Sequence, residues 1–392
     1  LKVEIDRSVI SGRIEAPESK SLAIRYVLLS LLTQVELEGL TPSDDVKAAM
    51  EAVNRLKRGE RELYLGGSAT TLRMIIPIVA ALGIEVKLDG DETLRRRPLE
   101  SIRRALKEVY ISSERLPLVV KGKLGEETVI EGWESSQYVS GLIYAYCLKG
   151  EGRIRVIPPV SSRGYIHMTA DVIRSVGGEV KTEGTEVWVR CGSLRNFRGK
   201  VPGDYALASF YANAALLTGG RVEITNLYPV PDYVGDHVIV DQLSRIGGKS
   251  SVAEGTWIVE ASGTYFPLEV DINDVPDLAP SLAAVMAVSN GRSKLLNVER
   301  LRTKESDRIS TIISTLRSFG IDAEYHPGEI LVNGGEPRWG EVVCPRDHRI
   351  AMLAGDLALR AGGRVLDAEC VNKSNPKYWE DLMKLGGKVT TS

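Results

Sequence analysis

Residues 68–83 read Ser-Ala-Thr-Thr-Leu-Arg-Met-Ile-Ile-Pro-Ile-Val-Ala-Ala-Leu-Gly, with Arg73 the only charge in the stretch. A run so poor in charge, opened by a small hydroxyl residue and closed by glycine, predicts a helix buried all round that shows solvent only its ends. The pattern recurs. Runs open at Lys20-Ser21, Ser68, Ser135-Ser136, Asp204-Tyr205, Asp277 and Asp347-His348-Arg349, with apolar bodies over 22–32, 72–82, 139–148, 206–217, 278–288 and 350–359. A helix N-terminus has free N–H groups and a positive dipole end, so several such starts brought together would make a site for anions.

Each apolar run is followed by an amphipathic one, over 45–57, 98–109, 166–176, 235–246, 306–319 and 377–385. Glycine and a short alternating strand recur beside these helices, as in Gly83-Ile84-Glu85-Val86, Gly177-Gly178-Glu179-Val180, Gly247-Gly248-Lys249 and Gly320-Ile321-Asp322-Ala323. The period of about seventy residues exceeds that of solenoid repeats, so closed domains of a few units are expected, not an open array. The reading is an α/β protein of six βαβαββ-like units in two domains of three. Residues 1–17 with 203–392 form one domain and 18–202 the other. The segments Ile14-Glu15-Ala16-Pro17-Glu18 and Gly199-Lys200-Val201-Pro202-Gly203 are the expected crossings, and their proline and glycine suit a hinge.

With 392 residues, 43% of them hydrophobic, the chain can build more than one core. A net charge of −2 argues against a general nucleic-acid binder, which needs a basic face. Pro77 and flanking charges disqualify the longest apolar run as a membrane span, and no secretory leader is evident, so a cytoplasmic protein is expected. Cys147, Cys191, Cys344 and Cys370 lack metal-ligand spacing and are expected to be reduced, mostly buried thiols. His167, His237, His326 and His348 likewise show no ligand spacing, and Gly66-Gly67 lacks the rest of a nucleotide-binding fingerprint. No metal and no cofactor is implied.

The densest chemical signal is Thr303-Lys304-Glu305-Ser306-Asp307-Arg308. Alone it would be an ordinary solvated helix start, with Ser306 or Asp307 as cap. Its company gives it weight: Lys20-Ser21 with Arg25, Gly66-Gly67-Ser68-Ala69-Thr70-Thr71-Leu72-Arg73, Arg97-Pro98, Ser135-Ser136-Gln137, Pro276-Asp277, Asp347-His348-Arg349 and Lys373-Ser374. In this order and spacing, from Lys20 to Lys373, the chain resembles the 5-enolpyruvylshikimate-3-phosphate synthase family. The resemblance implies an inside-out, inverted α/β barrel fold of two three-unit domains. It also implies transfer of the enolpyruvyl group of phosphoenolpyruvate to the 5-hydroxyl of shikimate 3-phosphate, releasing phosphate, by a monomer.

Guanidinium groups suit a substrate carrying a carboxylate and a phosphate. By resemblance, Arg308 and Arg349 hold the carboxylate of phosphoenolpyruvate, and Lys20, Arg97 and Lys373 its phosphate. Arg73 matches a family position as a ligand or a support. Ser21, Arg25, Ser135, Ser136, Ser162, Tyr165 and Lys304 match the shikimate 3-phosphate site, with Gln137 between the substrates. The reaction delivers a proton to the methylene carbon and takes one from the hydroxyl, work for two groups in distinct surroundings. Glu305 resembles the group that protonates C3, and Asp277 the partner of the 5-hydroxyl, with Lys20 competing for that proton.

The chain also departs from the family pattern. Gly67-Ser68-Ala69-Thr70 replaces a loop that commonly has Asn at the first position and Gly at the third, Met74 replaces a frequent proline, and Arg300 stands where several members have Asn. Contacts at Gly67 and Arg300 are therefore left out of the expected site. Ala69 predicts weak inhibition by glyphosate, which reaches toward this loop. The rival enzyme reading, UDP-N-acetylglucosamine enolpyruvyl transferase, typically has a cysteine in the loop corresponding to 93–98, here Thr93-Leu94-Arg95-Arg96-Arg97-Pro98. A non-catalytic phosphoester-binding protein of the same architecture is the other alternative.

Overall fold

The computed structural model describes residues 1–227 and 235–392. The chain divides into two compact units, Leu1–Pro17 with Pro202–Ser392, and Glu18–Val201. It passes from one to the other after Pro17 and back after Val201.

One topology repeats. In the Glu18–Val201 unit, the strand Glu62–Tyr64 leads into the helix Ala69–Leu82, the strand Val86–Asp89, the helix Glu100–Ala105 and the strands Val109–Ile111 and Leu118–Gly122. The first two strands pair in parallel and the rest antiparallel, so the strand order is first, second, fourth, third. Glu127–Glu131 through Glu186–Arg190 repeat it. The third sheet of this unit has only the parallel pair Val35–Leu37 and Phe197–Gly199.

The other unit carries the repeat three times. The sheet built on Glu269–Asp271, Arg292–Leu296, Asp322–His326 and Glu329–Asn333 is continuous in sequence. A second takes its first strand, Gly12–Glu15, from before the inserted unit and pairs it with Arg221–Thr225. A third takes Lys2–Asp6 from the amino-terminal end and sets it between Gly363–Leu366 and Lys388–Thr391.

The apolar helices form the cores. Every residue of Tyr205–Thr218 from Tyr205 to Leu217 is buried, as is all of His348–Ala361 except Arg360. Helices without a polar stripe have no other place, since burying each Leu, Ile or Phe contributes about 1.5–3 kcal/mol. Ala69–Leu82 packs against Ser136–Lys149, where a Cβ on Gly141 would meet Met74 O at 2.6 Å, so only glycine permits that approach. Ser19, Ser68, Ser135, Asp204 and Asp347 cap five of these helices through their side-chain oxygens.

Three expectations are corrected here. The helix with an expected apolar body over 22–32 ends at Leu29 and is not buried all round: Leu22 and Tyr26 are partly exposed, and Tyr26 stacks on Phe197 at 4.3 Å. The helix expected over 98–109 spans only Glu100–Ala105, since Val109–Ile111 is taken into antiparallel pairing with Leu118–Gly122. The cysteines are not free thiols. Cys147 bonds Cys191 and Cys344 bonds Cys370, partners 44 and 26 residues apart that only the fold brings together. None of the helices among the described residues is long and apolar enough to cross a membrane.

Candidate active site

The expected site residues are distributed over both units, and within each unit several of them bond one another or share partners. In the Glu18–Val201 unit the centre is Arg25, one turn into Lys20–Leu29 and completely buried. Its guanidinium donates to Thr169 Oγ1 at 2.8 Å, Ser21 O at 2.9 Å and Ser140 Oγ at 3.2 Å, and lies 5.5 Å from the centre of the Tyr165 ring. All three acceptors are neutral. Burial pulls its pKa below the ordinary arginine value, and among the described residues no carboxylate contact offsets that. A buried cation held only by hydroxyls and a carbonyl calls for an anion from outside the chain.

Beside it, Gln137 projects from the first turn of Ser136–Lys149. Its amide donates to Thr70 Oγ1 at 2.8 Å, and its carbonyl oxygen accepts from Arg73 at 3.2 Å. Ser135 caps that helix, accepting from the Gln137 N–H at 3.1 Å, and Ser136 is buried behind it. Lys20 donates to the buried Asp45 at 2.8 Å. Ser162, in a left-handed conformation at φ +50°, accepts the Tyr165 N–H through its carbonyl and so turns the chain into the helix Gly164–Ser175. Of the three consecutive arginines, Arg95 bonds Asp89 and Arg96 bonds Glu92, and Arg97, just past the short helix Glu92–Arg95, donates its N–H to Leu94 O at 3.0 Å.

The second group is built around Arg308, 1% exposed, on the first turn of Arg308–Ser318. It donates to Asp347 through Nε at 2.8 Å and Nη2 at 3.2 Å, to Asp277 through Nη1 at 2.9 Å, and to Glu305 through Nη2. Burial opposes its charge, but Asp347, Glu305 and Asp277 outweigh that and raise its pKa above the usual value. Lys304 Nζ lies 3.5 Å from Asp277, and Arg349 Nη2 3.8 Å from its other oxygen. Burial would raise the Asp277 carboxyl, yet Lys304, Arg349 and Arg308 together hold it well below the ordinary carboxylate range. The Lys304 ammonium is pulled down by burial, against the attraction of Asp277.

Arg349 is buried, and its Nη1 has no hydrogen-bond partner among the described residues. That leaves a charged donor to spend on a ligand. Lys373 ends the short helix Ala368–Lys373 in the same unit and is partly exposed.

Glu305, Asp347 and His348 offer ligand atoms within 4.8 Å of one another, but the cation that Glu305 and Asp347 share is the Arg308 guanidinium.

Sequence reasoning passed over several members. Asp347 appeared as a helix start, but its larger role is as the buried counter-charge of Arg308. Asp236, in the short helix Gly235–Val238, has its pKa pushed up to about 7 by burial and by Asp204 and Asp277, against Arg349 and Lys304. Asp45, Thr169 and Ser140 were also missed, and Thr70 was quoted within the run 66–73 without a role of its own. Only Asp204 carried a usable signal, since it opens an apolar helix as Asp277 and Asp347 do.

The chain shares its fold with solved structures of the enolpyruvyl transferase class. It superposes on EPSP synthase from Acinetobacter baumannii with a TM-score of 0.79 at 24% identity, covering 100% of both chains. The enolpyruvyl transferase NikO from Streptomyces tendae follows at a TM-score of 0.76 and 16% identity, covering 99% of this chain and 98% of that one. Sequence narrows the class. Residues 54–382 match the model of EPSP synthase (3-phosphoshikimate 1-carboxyvinyltransferase). A 3-phosphoshikimate 1-carboxyvinyltransferase of Sulfurisphaera tokodaii is 47% identical over 99% of each chain, and one of Saccharolobus solfataricus 45% over 99% of each. The chain belongs to the EPSP synthase family, and its function is the enolpyruvyl transfer of the shikimate pathway.

Proposed function

We propose that one set of these side chains holds shikimate 3-phosphate and an overlapping set holds phosphoenolpyruvate. Shikimate 3-phosphate is held by Ser21, Arg25, Ser135, Ser136, Gln137, Ser162 and Tyr165, with its phosphate at Arg25. Lys20, Lys304 and Asp277 serve its hydroxyls. Phosphoenolpyruvate takes its carboxylate to Arg349 and Arg308 and its phosphate to Lys20, Arg97 and Lys373, beside Gln137. The observation that carries this reading is Arg25, fully buried with only neutral acceptors. A dianionic phosphate there would supply the missing counter-charge through charge-assisted hydrogen bonds.

In this scheme the Asp277 carboxylate, ionised at neutral pH, accepts the 5-hydroxyl proton as the oxygen attacks C2 of phosphoenolpyruvate. Glu305 delivers a proton to C3, and its bond to Arg308 stabilises the carboxylate it becomes. Elimination then removes a proton from C3 as the C–O bond to phosphate breaks, which regenerates the double bond and returns that proton to Glu305, while the proton taken up by Asp277 leaves with the phosphate, so both carboxyls end as they began. Arg308, held by Asp347, Asp277 and Glu305, fixes both proton-transfer groups in place as it helps to hold the substrate carboxylate. The enzyme works in this scheme as a monomer in the cytoplasm.

Titration calorimetry of single variants tests the division. Arg25→Ala should weaken shikimate 3-phosphate by about 10–150-fold, the loss of one charged hydrogen-bond set worth about 1.5–3 kcal/mol. Arg349→Ala should leave that binding within about twofold and raise the KM for phosphoenolpyruvate instead. The opposite pattern would exchange the two subsites.

A further inference from the structure

Two of the segments that carry site residues are stapled to each other. The strands Gly340–Val343 and Gly363–Leu366 are parallel neighbours, so the chain leaves both at the same end of the sheet. Cys344 continues the pairing by one bond, from its N–H to Leu366 O at 2.9 Å. Beyond it, Arg346 turns at φ +58° into Asp347, the cap of His348–Ala361. The neighbouring exit is built alike, with Asp367 at φ +52° leading into Ala368–Lys373. Left-handed backbone is sparsely populated by residues other than glycine, so these turns persist only where their surroundings hold them.

The disulfide joins the two exits at matching places. Cys344 lies three residues before Asp347, and Cys370 three residues before Lys373. Cys344 Sγ also lies 3.4 Å from Asp347 O, against the turn that delivers Arg349. We infer that the Cys344–Cys370 bridge is a positioning device, setting the Asp347–Arg349 turn against the Lys373 segment and so fixing the spacing of two anion-binding cations.

The inference rests on the proposal that Arg349 and Lys373 bind phosphoenolpyruvate. The molecule carries its own control. Cys147–Cys191 ties the C-terminal end of Ser136–Lys149 to the residue after Glu186–Arg190, and Cys147 lies ten residues, about 15 Å, along the helix from Gln137. That bridge braces the fold without touching the end of the helix that carries site residues. Without the Cys344–Cys370 bridge, Arg349 and Lys373 would sample spacings that do not match one ligand. The apparent affinity then falls by the fraction of time the competent spacing is lost, while turnover of the bound complex is retained.

The test compares Cys344→Ala/Cys370→Ala with Cys147→Ala/Cys191→Ala in the full chain. Denatured wild type should first show no titratable thiol, and finding free thiols overturns the inference at once. The expected result is a rise of about tenfold in the KM for phosphoenolpyruvate in the first pair, with kcat and the KM for shikimate 3-phosphate within about twofold of wild type. The second pair should lower the Tm and leave all three constants unchanged. A lower Tm in both pairs with no change in the KM for phosphoenolpyruvate would make the bridge a stabiliser only and overturn the inference. Should the first pair fail to fold, folded wild type is reduced with a phosphine, which is oxidised to the phosphine oxide as the S–S bond becomes two thiols. Hydrogen exchange of residues 345–349 and 367–375 should then quicken. Unchanged exchange refutes the clamp whatever the enzyme turns over, whereas wild type inert toward both substrates refutes the functional reading instead.

Discussion

Replacing Asp347 by asparagine keeps the shape of the side chain and removes its charge. The residue is completely buried, and its carboxylate accepts from Arg308 Nε at 2.8 Å and Nη2 at 3.2 Å, from Ser306 at 2.8 Å, and from the Arg349 N–H at 3.2 Å. In Asp347→Asn the amide oxygen keeps the cap and Ser306 can turn to accept from the amide NH2, but Arg308 Nε loses its acceptor and the guanidinium keeps a buried charge with one counter-charge fewer. Removing one partner of a buried pair costs about 3–5 kcal/mol, and the remaining bonds to Asp277 and Glu305 put the expectation at the lower end, about 3 kcal/mol. In a unit of about 200 residues each kcal/mol moves the Tm by about 2–4 °C, so the unliganded variant should melt about 6–12 °C lower. Asp347→Ala also loses the cap and should cost about 1 kcal/mol more. Calorimetric melts of the three proteins decide it. A variant Asp347→Asn that melts with wild type would mean that the Arg308 charge is compensated elsewhere.

Asp236 gives a pH prediction. Its folded pKa of about 7 lies above its unfolded value, so this carboxyl stabilises the fold fully only below the unfolded value, and the effect is lost as pH rises through about 7. Asp236→Asn should therefore be more stable than wild type at pH 8, with the advantage fading toward pH 4, and a difference constant across that range would contradict the shift. Glu305→Gln should lower kcat by about 10²–10⁴ with both substrates still binding, and near-normal turnover would move the proton transfer to Asp277 or Lys20. Ala69, on the first turn of Ala69–Leu82, should crowd glyphosate at a cost of about 1–3 kcal/mol, so Ala69→Gly should tighten inhibition. Equal inhibition constants at matched substrate saturation would place this loop away from the inhibitor.

What could be read in advance follows from what each signal depends on. The helix Tyr205–Thr218 was legible because absence of charge over a dozen positions has one structural outcome, burial, and Asp204 and Asp347 were legible as caps because capping is local. The role of Asp347 toward Arg308 was not, since it depends on two helix starts meeting across 39 residues of chain. The run 98–109 has helical periodicity, yet Val109-Tyr110-Ile111 goes to a strand because a partner strand, Leu118–Gly122, completes its backbone bonds. The cysteines have no sequence spacing that betrays their pairing, which is set by neighbouring strands and helices. Arg25 was placed by resemblance alone. That its acceptors are all neutral, the fact that gives it meaning, is a property of the packed interior.

The central claim is that this chain moves an enolpyruvyl group from phosphoenolpyruvate to shikimate 3-phosphate. Its most direct test is to incubate the protein with both substrates, follow inorganic phosphate, and identify the organic product by mass. The account predicts phosphate and 5-enolpyruvylshikimate 3-phosphate in equal amounts, and no phosphate when UDP-N-acetylglucosamine replaces shikimate 3-phosphate. Phosphate release with the nucleotide sugar, or none with shikimate 3-phosphate, would contradict it.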